Sequence, residues 1–187
     1  MNRLLRGFRA ATAKVCVLVL SAFSDVGQSY AADANNGKYV LLSIVGYNYT
    51  DRYIDSFTVN GAGGGNIFVS SASSGGGGIE CCVRLNTSNA RFSRVRVRWQ
   101  AGGCTYLTRS RISGETFENI FPYFREADVK INVRAKANPG QLEIHFYKDG
   151  SVVAELTERL SQPHVALDEG RAEKSSYPRC PNDKKPE

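Results

Sequence analysis

The chain has 187 residues, 42% hydrophobic and 22% charged, with 18 Gly, 6 Pro, 5 Cys and a net charge of +6. That length suits one domain with a real core, and the apolar and charged fractions exclude a wholly disordered or collagen-like chain. Abundant glycine beside a single Met and a single Trp points to many turns.

Arg3, Arg6, Arg9 and Lys14 precede the apolar run Val15–Phe23, and Ser29-Tyr30-Ala31 offers a small-x-small site before Ala32. This order predicts a secretory signal peptide over residues 1–31. The nine residues of the run are too few to cross a hydrocarbon core, which takes ~20 in a helix. Removing the segment leaves 20 basic against 17 acidic residues, a net charge of +3. That is too small to argue for nucleic acid as a partner. Cys16 follows Lys14-Val15 rather than the small residues that precede a lipidated cysteine, so no lipid anchor is expected.

Past the signal the dominant period is two. Residues 38–45 form an apolar run that reads as a strand buried on both faces. Weaker strands are expected near 53–59, 66–70, 79–85, 92–99 and 104–111, and residues 115–127 as one helical turn that Pro122 keeps short. Val129, Ile131, Val133 and Ala135 alternate with polar residues, as do Leu142, Ile144 and Phe146 with Glu143, His145 and Tyr147. Lys148-Asp149-Gly150-Ser151 then makes a hairpin turn into Val152–Leu156. About nine short strands result, predicting an all-β fold, an antiparallel β-sandwich over residues 38–160. Residues 161–187 carry four prolines among charges and read as an extended tail that only Cys180 can pin.

Four cysteines remain in the exported chain: Cys81, Cys82, Cys104 and Cys180. An even count in an oxidising compartment predicts two disulfides. Cys-Cys adjacency followed by gaps of 22 and 76 lacks the C-x-x-C spacing of a structural zinc site. His145 and His164 have no carboxylate or second-His spacing to form a cluster, so neither a metal nor a cofactor is expected. Adjacent strand residues point to opposite faces, which argues against a Cys81–Cys82 bridge. Sequence leaves the connectivity open; the working expectation is Cys82–Cys104 with Cys81–Cys180.

The tracts Gly61–Gly65 and Gly75–Gly78 lack the third glycine, or the terminal Lys-Ser/Thr, of phosphate-binding loops and read as plain loops. Arg94, Arg96 and Arg98 share one strand face, which reads as solvated, with an acidic partner as the sharper alternative. Tyr47, Tyr49 and Tyr53 surround Asp51-Arg52 near a strand end and, with Gly63, Gly64 and Asn66, are the expected partner-binding surface. No Gly-x-Ser-x-Gly, His-Glu-x-x-His or carboxylate pair is visible, so no catalytic residue is named. Asn48-Tyr49-Thr50 and Asn86-Thr87-Ser88 are glycosylation sequons.

The stretch Gly46-Tyr47-Asn48-Tyr49-Thr50-Asp51-Arg52-Tyr53-Ile54, followed by Phe57-x-Val59-Asn60-Gly61 and Gly64-Gly65-Asn66, resembles the start of the domain-of-unknown-function 3304 family. Gly75–Gly78 with Cys81-Cys82, Val97-x-Trp99, Ile144-His145-Phe146-Tyr147-x-Asp149-Gly150 and Tyr177-Pro178-Arg179-Cys180-Pro181 are similar to its centre and end. The resemblance spans roughly residues 39–183. It implies small exported proteins of Gram-negative bacteria, many of them lipoproteins, without an assigned catalytic activity. Members tend to accompany type VI secretion genes for phospholipase-type effectors. The resemblance therefore implies a periplasmic immunity protein that blocks a cognate secreted phospholipase. An envelope interaction module without a toxin partner, or an envelope hydrolase, are the alternatives.

Overall fold

The computed structural model describes residues 39–86, 93–136, 138–168, 171, 173–174 and 176–187. The expected signal, residues 1–31, lies outside them. The first strand, β1 (Tyr39–Asn48), is buried on both faces from Ile44 onward, as its unbroken apolar run predicts. Next come β2 (Phe57–Val59) and β3 (Ala62–Gly63), joined by a tight turn at Asn60-Gly61 with φ of 50° and 85°. Such left-handed pairs match the twist of a hairpin, and Asn-Gly accepts them at low cost. The remaining strands are β4 (Gly76–Asn86), β5 (Arg94–Arg109), β6 (Thr116–Val133), β7 (Gln141–Phe146) and β8 (Val152–Thr157).

The protein is all-β among its described residues, apart from a 3-10 turn at Pro181–Asp183. The strands are hydrogen-bonded into one eight-stranded sheet in the order β3-β2-β5-β6-β8-β7-β1-β4, nearly closed like a barrel, where two facing sheets were expected. β6 is the corner that makes this possible: residues 116–130 pair with β5 and 131–133 with β8. Nor is the sheet wholly antiparallel, because β1 runs parallel to β7 and β6 parallel to β8. Ile67 bridges both Ile54 and Gly77 and draws the two sheet edges together.

Several local expectations change. The predicted strands 92–99 and 104–111 are one strand with an irregularity between Gln100 and Gly102. Residues 66–70 contribute only the Ile67 bridges. The expected helical turn at 115–127 is strand, held by the register from Gly102↔Tyr123 to Arg109↔Thr116. Pro122 is tolerated there because its stretch of β6 pairs with β5 alone, and prolines are accommodated where one edge is free. Gly76–Gly78 open β4 instead of forming a loop; a side chain at Gly77 would strike the Gly46 carbonyl of β1.

Inward-facing Leu42, Ile44, Phe57, Val97, Ile144, Phe146 and Leu156 fill the core, with Phe57 and Trp99 packed on Phe146. Arg94, Arg96 and Arg98 alternate outward with buried Val95, Val97 and Trp99, as expected. Arg96 meets Glu126 and Asp128, and Arg98 lies over the Phe124 ring.

The disulfides are Cys81–Cys82 and Cys104–Cys180, which corrects the expected pairing. β4 and β5 are not neighbours in the sheet, so Cys82 does not meet Cys104. The tail passes Cys104 directly: Thr105 accepts from the Cys180 amide and donates to Pro178. The tail is also held at many more points than Cys180. Ser161, His164, Arg171 and Lys174 all bond to the strands or the loops beside them.

Candidate functional site

On β7 the residues facing away from the core are Glu143 and His145, and β1 places Val45 and Tyr47 beside them in parallel register. This polar face would be solvated on an uncovered sheet. Here the tail covers it, and Glu143 and His145 are fully buried. β8 brings Glu155 directly opposite Glu143, and the tail supplies His164.

The contacts form a closed set. Glu143 Oε1 accepts from the Ser161 amide at 2.7 Å and stands 3.4 Å from the Tyr47 hydroxyl, which itself donates to the Ser161 carbonyl at 2.7 Å. Tyr49 Oη lies 2.9 Å from His145 Nδ1 and accepts from the His164 amide at 2.9 Å. The two imidazoles stack at 4.3 Å, and Tyr47 stacks on the other side of His145 at 4.5 Å. His145 Nε2 faces Glu143 Oε2 at 3.6 Å, and His164 Nε2 faces Glu155 Oε2 at 3.6 Å. Neither His145 Nε2 nor Glu143 Oε2 has a hydrogen-bond partner. Glu155 Oε2 has no aligned hydrogen bond either, although Arg134 Nε stands 2.8 Å away as an ion pair.

Burial shifts the phenols first. It pushes the Tyr49 hydroxyl up to about 12, and the Tyr47 hydroxyl still higher, with the Glu143 charge adding to the effect. Burial also works to raise Glu143, but the facing His145 and the hydrogen bond from Ser161 outweigh it and hold the carboxyl below its usual range. His164 is lowered, by burial and then by its neighbour His145. One ligand atom from each of Glu143, His145, Glu155 and His164 lies within 4.8 Å of the others, so this group can hold a metal ion. The expectation that the histidines lack cluster partners is thereby corrected: Glu155 arrives across a hairpin and His164 from the tail.

The expected binding surface is only partly a surface. Tyr47 and Tyr49 are buried and serve the cluster. Tyr53 is half-buried against Phe68 with ring centroids 5.0 Å apart. Gly64 is buried under Phe57, while Gly63 and Asn66 are exposed. Asn48 is buried and its amide bonds Arg52 and Ile67, which removes that sequon from reach. Beside Tyr53 a cleft of 430 Å³ opens between Arg52, Gln100, Arg125, Tyr147 and Tyr177.

A family model described as protein of unknown function (DUF3304) matches residues 47–153, more than half of the chain. The chain belongs to this family. The match takes in Tyr47, Tyr49, Glu143 and His145 and stops short of Glu155 and His164. No curated protein and no solved structure matches the chain.

Sequence reasoning did not single out Glu143, Glu155 or Arg134. The available signal was a Glu-x-His-x-Tyr alternation on a strand whose other face is wholly apolar.

Proposed function

We propose that this DUF3304 protein is an exported, non-catalytic binding protein that blocks a cognate phospholipase-type effector in the periplasm, as the family resemblance implied. The observation that supports a binding role is the outer half of the β5–β6 hairpin. None of the residues 105–124 belongs to the core cluster, yet Leu107, Phe117, Ile120, Tyr123 and Phe124 are exposed there and Ile112 at the tip is wholly so. Leu107, Ile120 and Phe124 lie on one face of the ribbon and Phe117 and Tyr123 on the other, and exposed apolar groups gathered on one arm in this number suit an interaction site. The arm is strand-paired along its length and anchored at its base by Cys104–Cys180, so little ordering entropy is lost on docking. A lipase must present an apolar mouth to acyl chains, which is a surface such an arm can cap. Arg109 and Arg111 beside the tip suit an acidic rim around that mouth.

Pull-down from an envelope extract, with the mature protein as bait, tests this reading. The wild-type chain is expected to capture a lipase-type protein and to inhibit its hydrolysis of phospholipid vesicles. Ile112→Asp and Phe117→Ser are expected to abolish both while leaving the far-ultraviolet spectrum unchanged. Capture and inhibition unaffected by both substitutions would overturn the assignment of the arm.

A further inference from the structure

We propose that Glu143, His145, Glu155 and His164 bind one divalent transition-metal ion of the Zn²⁺ type, which clamps the tail to the sheet. Three observations converge on it. Glu143 and Glu155 are direct cross-strand partners, 0% and 2% exposed. Like charges so placed repel, and Arg134 approaches only Glu155. A dication between the carboxylates removes that conflict.

Secondly, Glu143 Oε2 and His145 Nε2 are completely buried, aimed at each other, and lack hydrogen bonds. A buried polar atom left unpaired costs ~1–3 kcal/mol and calls for an explanation. Thirdly, the His145 ring is fixed through its other nitrogen by Tyr49, which the His164 amide holds in turn. Metal-ligating histidines are oriented in this way by a partner on the second ring nitrogen.

The donor set decides the class of ion. Two imidazole nitrogens and two carboxylate oxygens suit Zn²⁺ and its neighbours, whereas Mg²⁺ and Ca²⁺ prefer all-oxygen shells. A tetrahedral shell with ligands at ~2.0–2.1 Å places them about 3.4 Å from one another. Both His–Glu pairs already stand at 3.6 Å, and no spacing exceeds 4.8 Å. The remaining contraction, up to about 1.4 Å against that shell, falls most readily to His164, the ligand on the tail. With four protein ligands the shell is closed, so the ion's role is structural.

The test uses the untagged full chain with both disulfides formed, stripped with chelator and exchanged into chelator-free buffer. Titration with Zn²⁺ is expected to saturate at one ion per chain, and Tm is expected to rise with Zn²⁺ concentration. Co²⁺ should give the ligand-field absorption of a tetrahedral site. Glu143→Gln is the direct variant but sits in the packed interior, so His164→Gln, on the partly exposed tail side, carries the test. It is expected to weaken Zn²⁺ binding by more than the 10–100-fold typical of losing an outer-shell partner, with the folded spectrum retained. Absence of saturable binding, or equal binding by the wild type and His164→Gln, would reduce the cluster to a buried ion-pair network and overturn the proposal.

Discussion

Glu143 on β7 and Glu155 on β8 face each other across the sheet, and each is approached by its own set of partners. Glu143 is met by His145, Ser161 and Tyr47, and Glu155 by Arg134 and His164. Two carboxylates in register under a cover of tyrosines and tail are stable only while both sets of partners stay in place.

Arg134 is the first place to test that dependence. Removing one partner of a buried pair costs ~3–5 kcal/mol. The Arg134 side chain is 58% exposed, which lowers the expected cost of Arg134→Ala to ~1–2 kcal/mol. Urea midpoints at unchanged m, measured in chelator, give the value. A loss below a few tenths would mean that Glu155 is neutralised by other groups.

The two disulfides differ in what they hold. Cys104–Cys180 closes a separation of 76 residues, for which the chain-entropy model gives a stabilisation of about 4.5 kcal/mol. Cys81–Cys82 joins neighbours and restricts the unfolded chain hardly at all. Cys104→Ser with Cys180→Ser is therefore expected to lower stability by ~2–4 kcal/mol, and Cys81→Ala with Cys82→Ala by less than ~1 kcal/mol. Unreduced peptide mapping should link the Cys104 peptide to the Cys180 peptide only.

Glycines in one short stretch should respond in opposite ways. A methyl on Gly64 would run into the Phe57 ring, whereas Gly63 has open space around it. Gly64→Ala is expected to cost ~1–3 kcal/mol by overpacking, and Gly63→Ala to stay within about 0.5 kcal/mol of wild type. Thermal melts of the two variants side by side settle the contrast.

Asp51 makes an acid-sensitive tie to the tail. The hydrogen bond from Lys174 holds its carboxyl below the usual range. A depressed folded value means that the stability it adds is present above the unfolded value near 4 and is lost as pH falls through the folded one. Both side chains are partly exposed, so Lys174→Met is expected to cost no more than ~0.5–1 kcal/mol at pH 7. That difference should shrink as pH is lowered from the unfolded carboxylate value near 4 to about 2, since it is lost as pH falls through the folded value. Denaturant titrations at the two pH values measure it.

The readable parts of the fold were those decided by neighbours in sequence. Asp149-Gly150 forms the predicted hairpin turn, with Gly150 at φ 85°. The alternations of residues 142–146 and 94–99 predict which side chains are buried with the core. The cluster was hidden because a Glu, a His and a Tyr on alternate positions look like a solvent face until something covers them. The cover is a segment whose prolines and charges suggest an extended tail pinned at Cys180 alone, and Ser161, His164 and Arg171 in place reveal the further attachment. For the same reason Tyr47 and Tyr49 looked like loop aromatics. Phe117, Ile120 and Phe124 were misread for the opposite cause. Pro122 suggested a broken helix, and fifteen pairs with β5 overrode that local cue.

The parallel pairing of β1 with β7 has a kinetic consequence. Ser43 meets Gln141 and Asn48 meets Phe146, so an early strand waits for one made almost a hundred residues later. Closing such separations costs chain entropy before any contact repays it, and topologies of this kind fold in milliseconds to seconds. Until residues 141–146 arrive, β1 has only the glycine-rich strand β4 for company, with a row of apolar side chains and one backbone edge open. The newly made chain is therefore most prone to aggregation before its β7–β8 hairpin forms.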